Sequence, residues 1–148
     1  MNWILPMIGT VAVDQLSKLI VVNNLTVYQS IPVIDGFFHI TLIQNTGGAF
    51  GILQGRGEWM TVVTAVIVIG LLGFLLRLKK IGLKVPLAII LGGALGNLID
   101  RIQFGYVVDF FDFRFWPVFN VADSAILIGA VWIAVQLIGE RSESREAE

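Results

Sequence analysis

Four stretches of the chain, about residues 3–22, 59–76, 85–101 and 121–139, are apolar over lengths approaching the ~20 residues a helix needs to cross a bilayer. Few polar residues interrupt them. Asp14 and Lys18 lie inside the first stretch, the second carries no charge, Asp100 and Arg101 close the third, and Asp123 falls in the first turn of the fourth. Between the first two stretches the pattern changes. Thr26 to Leu42 is rich in Val, Ile, Phe, Tyr and Thr and is broken at Pro32 and Asp35-Gly36, which predicts a strand, a turn and a second strand. The run Asn45-Thr-Gly-Gly-Ala-Phe-Gly51 that follows is small and flexible in composition. Phe111 to Phe115 alternates strictly, predicting an extended piece with its phenylalanines on one face and Asp112 and Arg114 on the other. The expected class is membrane α-helical, with four transmembrane helices and a small β-sheet between the first and second.

Composition agrees. The 148 residues are 56% hydrophobic and 14% charged, with mean hydropathy +0.83, whereas soluble domains are roughly one-quarter charged. The length suits one membrane-embedded unit over residues 1–148. A net charge of −1 gives no basic field for nucleic acid. The chain has no cysteine, which excludes disulfides, thiolate catalysis and cysteine-held metals, and its single histidine, His39, argues against a histidine metal site. Arg77, Lys79, Lys80 and Lys84 crowd the connection between the second and third stretches and place it in the cytoplasm. Both termini are then cytoplasmic, in agreement with Arg141 and Arg145, and residues 23–58 and 102–120 face outward, where Lys18, Arg56, Arg101 and Arg114 give a thinner positive density. The first stretch is expected to be a retained helix, because no Lys or Arg precedes it and Asp14 lies within it. Tyr106, Trp116 and Trp59 fall near predicted interfaces, and the tail from Glu140 to Glu148 is expected to fray.

Carboxylates beside hydrocarbon are costly without partners, so they mark candidate chemistry. Asp109 follows Val107-Val108 and precedes Phe110-Phe111, while Asp123 opens the fourth helix three residues after Asn120, a favoured capping residue. Two such carboxyls brought together share one proton and titrate as a pair, so one can take a proton from water while the other gives one to a carbonyl oxygen. The helix N-terminus favours Asp123 as the ionised member. Asp112 competes with Asp109 for this role, but its alternation with Arg114 predicts a surface ion pair. In the third stretch Gly92 and Gly96 permit close helix approach, and Gly93, Asn97 and Asp100 share a face leading to Arg101. Asp14 and Lys18 are spaced for an ion pair, with Gln15 beside them. His39 shows no acidic or hydroxyl partner in sequence, Ser17, Ser30 and Ser124 lack a base signature, and Ser124, next to Asp123, is placed for a supporting hydrogen bond.

The runs Asp14-Gln-Leu-Ser-Lys18, Asn45-Thr-Gly-Gly-Ala-Phe50, Gly92-Gly-Ala-Leu-Gly-Asn-Leu-Ile-Asp-Arg101, Val107-Val-Asp-Phe110 and Phe119-Asn-Val-Ala-Asp-Ser124 occur in this order. Together, over nearly the whole chain, they closely resemble bacterial lipoprotein signal peptidase (signal peptidase II). The resemblance implies an aspartyl endopeptidase of the bacterial inner membrane with an extracytoplasmic β-cradle. Its substrate would be a prolipoprotein cut just before a diacylglyceryl-modified cysteine. By motif, the catalytic pair falls on Asp109 and Asp123, and the supporting residues on Asp14, Lys18, Asn45, Asn97, Asp100, Arg101 and Asn120. No cofactor or metal is implied; the partners are the prolipoprotein, membrane lipids and inhibitors of the globomycin type. Gly48 stands where the family pattern has alanine, a change that loosens the loop without removing a reacting group. Two other readings stay open from the residues alone: a transporter or channel component with a carboxylate path, and a non-catalytic lipid-binding assembly protein.

Overall fold

Apolar runs become helices here because a backbone in hydrocarbon must satisfy its own hydrogen bonds. The computed structural model describes residues 3–47 and 57–146. Its elements are α1 (Ile4–Asn24), β1 (Ser30–Ile34), β2 (Phe38–Asn45), α2 (Gly57–Arg77), α3 (Ile81–Phe104), β3 (Val107–Asp112) and α4 (Val121–Glu146). All four helices are long and apolar enough to cross a membrane. Residues Gly48 to Phe50 of the second motif, the Gly48 departure, Arg56 and the last two tail residues lie outside the described residues.

α3 is the central helix. Half of its apolar window is buried, against 11–17% for the other three, and their outward faces carry exposed side chains such as Leu5, Ile20, Val66, Ile69 and Val135. Glycine sets how closely α3 is approached on two sides. A Cβ on Gly92 would lie 2.7 Å from the Met7 carbonyl oxygen on α1, and one on Gly96 would collide with the Asp14 carboxylate. On the α4 side, a Cβ on Gly93 would lie 2.5 Å from the Ala122 carbonyl oxygen, and one on Gly129 of α4 would lie 2.7 Å from that of Pro86. Against α2 the packing is aliphatic instead, through Val68, Leu75, Leu87, Ala88, Leu91 and Ala94.

α3 ends at Gly105, whose left-handed backbone (φ 77°) returns its N–H to the Arg101 carbonyl at 3.0 Å. Only Tyr106 then separates this cap from β3, so the α3 terminus and Asp109 are held within a few residues of each other. The sheet is antiparallel in the order β1-β2-β3, and Leu42, Val108 and Phe110 pack it on Val21 and Leu25 at the end of α1. Between the pairs Ile40↔Phe111 and Ile43↔Asp109, β2 has two residues, Thr41 and Leu42, opposite the one residue Phe110 of β3. Three residues apart on β3, Asp109 and Asp112 face opposite sides, and the bulge brings Asn45 to the side of Asp109 while His39 and Thr41 stay on that of Asp112.

The extended piece expected over Phe111–Phe115 is corrected by the structure. β3 stops at Asp112, and Arg114 is left-handed (φ 63°), which breaks the alternation. Asp112 and Arg114 do pair, but through a turn: the Arg114 N–H donates to Asp112 Oδ1 at 2.9 Å and its guanidinium to Oδ2 at 3.0 Å. The Asp112 end of this pair is buried, so it is not the surface ion pair expected. The aromatic rings pack on the protein itself, Phe113 stacking on Phe119 at 5.9 Å and meeting Phe37 at 5.7 Å.

Because the Ala122 backbone cannot move aside, Gly93→Ala is expected to destabilise the fold by about 1–3 kcal/mol. Gly70→Ala on α2, whose added Cβ meets nothing within 4 Å, should leave stability unchanged or slightly raised. Thermal unfolding in detergent compares the two; equal stability of both variants would refute glycine-limited packing of α3 on α4.

Candidate active site

The polar cluster begins on α1, where Asp14 and Lys18 lie one turn apart and are both buried. Lys18 Nζ sits 2.8 Å from Asp14 Oδ2 and 2.8 Å from Asp100 Oδ2 on α3, and donates to Asn97 Oδ1 at 3.1 Å. Two carboxylates around one ammonium leave excess negative charge, and backbone N–H groups answer it. Asp14 Oδ1 accepts the Ala122 N–H in the first turn of α4 (2.9 Å), and Asp100 Oδ2 accepts the Val108 N–H of β3 (3.0 Å). Gln15 adds a further donor, its Nε2 lying 2.9 Å from Asp100 Oδ1 and 3.2 Å from the Gly96 carbonyl.

This charge centre orients the next layer. Lys18 draws the Asn97 carbonyl oxygen toward itself, which turns the Asn97 amide to donate to Asp123 Oδ1 at 2.9 Å. Asn120 then joins the two candidate carboxyls. Its Nδ2 donates to Asp109 Oδ1 (2.7 Å), and its backbone N–H donates to Asp123 Oδ2 (3.3 Å). In return its Oδ1 accepts the Asp123 N–H (2.9 Å), so the residue pair caps α4 in both directions. Asn120 Nδ2 also reaches Asn97 Oδ1 (3.1 Å) and the Val108 carbonyl (3.2 Å). From β2, Asn45 Nδ2 donates to Asp109 Oδ2 (2.8 Å), while its Oδ1 accepts the Gly47 N–H (3.0 Å). Burial, followed by the charge of Asp123, pushes the Asp109 carboxyl up to about 7, against the opposing effects of Asn45, Lys18 and Asn120.

Asp109 and Asp123 line one cavity of about 970 Å³, together with Asn45, Asn97 and Arg101. The Arg101 guanidinium donates to the Asn97 carbonyl at 3.4 Å. Polar groups thus form one end of the cavity, and Ile126, Leu127 and Ala130 of α4 give it an apolar side. Those three lie three, four and seven residues beyond Asp123, a one-face spacing that is visible in sequence but does not stand out within a uniformly apolar helix. In sequence Gln15 is only a neighbour of Asp14; its bonds to α3 make it part of the cluster.

The other candidates lie apart from this cavity. Asp112 accepts the Thr41 hydroxyl at 2.8 Å on the opposite side of the sheet. Ser17 donates to the Asp14 carbonyl (2.7 Å), and Ser124 to the Asn120 carbonyl (2.9 Å) instead of to the Asp123 side chain. His39 does have a hydroxyl partner, Ser30 across the β1–β2 pair, at 3.0 Å from Nδ1. A cross-strand contact of this kind leaves no mark in sequence spacing.

A family profile described as signal peptidase (SPase) II matches residues 7–139. The chain is similar to a protein of Halothermothrix orenii named lipoprotein signal peptidase, with 48% identity over 128 residues, covering 86% of this chain and 88% of that one. A protein of the same name from Clostridioides difficile is 41% identical over 151 residues, covering 98% of this chain and 100% of its own. Two solved bacterial membrane enzymes superpose on the fold. One has a TM-score of 0.86 at 35% identity, covering 95% of this chain and 90% of that one; the other has 0.80 at 36%, covering 91% of each.

The environment of Asp109 has a consequence for stability that does not depend on activity. Its carboxyl stays protonated in the native fold up to about pH 7 and ionises near its ordinary 3.8 in the unfolded chain. The native state therefore holds the extra proton between those values, and its stability is lost as pH rises through about 7. Asp109→Asn carries no charge in either state and is expected to gain stability relative to wild type over that window. Chemical unfolding as a function of pH measures the gap; a gap independent of pH would contradict the environment described.

Proposed function

The chain belongs to the signal peptidase II family, and we propose that it is an aspartyl endopeptidase that removes signal peptides from diacylglyceryl-modified prolipoproteins, cutting just before the lipidated cysteine. The observation that carries this reading is the bridging of Asp109 and Asp123 by Asn120 at the polar end of a half-apolar cavity. A lipidated peptide needs hydrocarbon contact for its acyl chains and polar groups at its scissile bond, and this cavity offers both. The carboxylates converge near one end of the helices instead of forming a line through the bilayer, which favours hydrolysis over a proton or ion path. As a multi-pass membrane protein of a bacterial family, the chain would keep both termini in the cytoplasm and open the site outward.

In the mechanism, Asp109 holds the shared proton and Asp123, at the N-terminus of α4, is the ionised member. Water attacks the scissile carbonyl carbon, its proton passing to Asp123 while Asp109 gives its own to the carbonyl oxygen. As the C–N bond breaks, Asp123 protonates the leaving nitrogen of the lipidated cysteine and Asp109 recovers its proton from the collapsing intermediate. The dyad ends as it began, with one proton. Asn45, Asn97 and Asn120 aim the carboxyls, and Arg101, on the cavity wall, is placed to hold the peptide carbonyls. Globomycin-type peptides would compete for the same cavity.

Cleavage of a synthetic diacylated prolipopeptide by purified protein tests this. Asp109→Asn and Asp123→Asn are each expected to lower kcat by at least about 10²-fold while the protein remains folded. Either variant turning over near the wild-type rate would sink the dyad. Incubation with EDTA is expected to leave the rate unchanged, because amides and Lys18 already partner the carboxylates; loss of activity on chelation would mean that a metal takes part.

A further inference from the structure

One side of the sheet carries a row of polar side chains that the proposed chemistry does not use. The Thr41 hydroxyl donates to Asp112 Oδ2 (2.8 Å), Ser30 Oγ lies 2.8 Å from Thr41 Oγ1, and His39 Nδ1 lies 3.0 Å from Ser30 Oγ. The protons in this row can be assigned. Burial opposes ionisation of Asp112, but the bonds from Thr41 and from the Arg114 N–H and guanidinium outweigh it and hold the carboxyl below its usual range. Asp112 therefore only accepts. Thr41 has one proton and gives it to Asp112, so its oxygen accepts from Ser30. The Ser30 proton is then spent, so Ser30 accepts from His39 Nδ1–H. Neutral His39 thus carries its proton on Nδ1, and the lone pair falls on Nε2, a buried atom with no hydrogen-bond partner among the described residues.

At its other end the row holds a loop. Asp112 receives both the backbone N–H and the guanidinium of Arg114, whose left-handed backbone is unfavourable for a residue with a side chain. The chain after this turn supplies Trp116, Pro117, Val118 and Phe119 to the wall of the cavity that contains Asp109 and Asp123. The far end of the loop is tied independently, Phe119 exchanging backbone hydrogen bonds with Phe111 at 2.8 and 3.2 Å. The near end is tied by Asp112.

We propose that Asp112 is a positioning residue for substrate, locked by the proton-ordered row His39–Ser30–Thr41 and holding the Arg114 turn, so that the Trp116–Phe119 wall meets the substrate in a fixed place. This rests on the reading of the cavity as a peptidase site. Asp112 touches neither the dyad nor the substrate, so its effect falls on binding and spares the chemical step.

Two measurements on the full chain in detergent test the proposal. His39 is the sole histidine, so ¹⁵N NMR reads its ring nitrogens directly. In the neutral form Nδ1 is expected to be protonated and Nε2 bare, and Ser30→Ala should shift the proton toward Nε2. A wild-type proton on Nε2, or a spectrum unmoved by Ser30→Ala, overturns the row. In kinetics with the lipidated prolipopeptide, Asp112→Ala is expected to raise KM about tenfold with kcat within about twofold. Thr41→Val, which keeps shape and removes the hydroxyl, should move KM in the same direction by about threefold and serves if Asp112→Ala does not fold. Asp112→Asn, which keeps one acceptor oxygen for the Arg114 N–H and loses the one that serves Thr41 and the guanidinium, should recover part of the loss. An unchanged KM, or a loss confined to kcat, overturns the positioning role. A wild type that cleaves nothing removes the peptidase reading and the positioning role with it, while the histidine spectrum still stands or falls by itself.

Discussion

The fold around the site depends on a single buried ammonium. Lys18 Nζ holds Asp14 and Asp100 within 2.8 Å and Asn97 within 3.1 Å, and each of these reaches a different element. Asp14 takes the Ala122 N–H and so fixes the first turn of α4 against α1. Asp100 takes the Val108 N–H and so fixes the entry of β3 against α3. Asn97 passes its amide to Asp123. A buried charge group of this kind gains little net stability, because desolvation opposes attraction. Its physical effect is orientation: with Lys18 removed, two buried carboxylates lose their cation and Asn97 Oδ1 keeps only the Asn120 amide as a donor.

Capping and catalysis are often set against each other as explanations for an aspartate at a helix start. Here the cap and the proposed chemistry fall on one residue. Asn120 and Asp123 exchange hydrogen bonds that begin α4, and the same geometry aims Asp123 into the cavity and presents the Asn120 amide to Asp109. The cap fixes where the carboxyl points without an additional supporting shell. Asp109 is fixed differently, by amides from β2 and α4 at its two oxygens, and its short link to the Gly105 cap keeps it near the end of α3.

Much of this was legible in the sequence. The four spans followed from length and apolarity, a close helix approach to α3 from Gly92 and Gly96, and the Asp14–Lys18 pair from helical spacing. The motif order brought the polar residues of the site into view together. What the sequence concealed lies in strand pairing. The bulge opposite Phe110 puts Thr41 and Asn45, four residues apart and otherwise on one face of β2, against Asp112 and Asp109 on opposite sides, and pairing register is not written in composition. Ser30 meets His39 because β1 folds back on β2. The alternation of Phe111–Phe115 pointed to a longer strand, but the Asp112 carboxylate captures the Arg114 N–H and stops it. A local side-chain acceptor competing with the sheet ladder is difficult to foresee from period alone.

The central claim is that Asp109 and Asp123 face one cavity as a pair sharing a single proton, with Asp109 holding it. Infrared difference spectroscopy of the purified protein across a pH titration tests this most directly. One protonated-carboxyl C=O band is expected to persist at mildly acidic pH, to fade as pH passes about 7, and to be missing in Asp109→Asn. Both carboxyls ionised throughout that range, with no such band in the wild type, would contradict it.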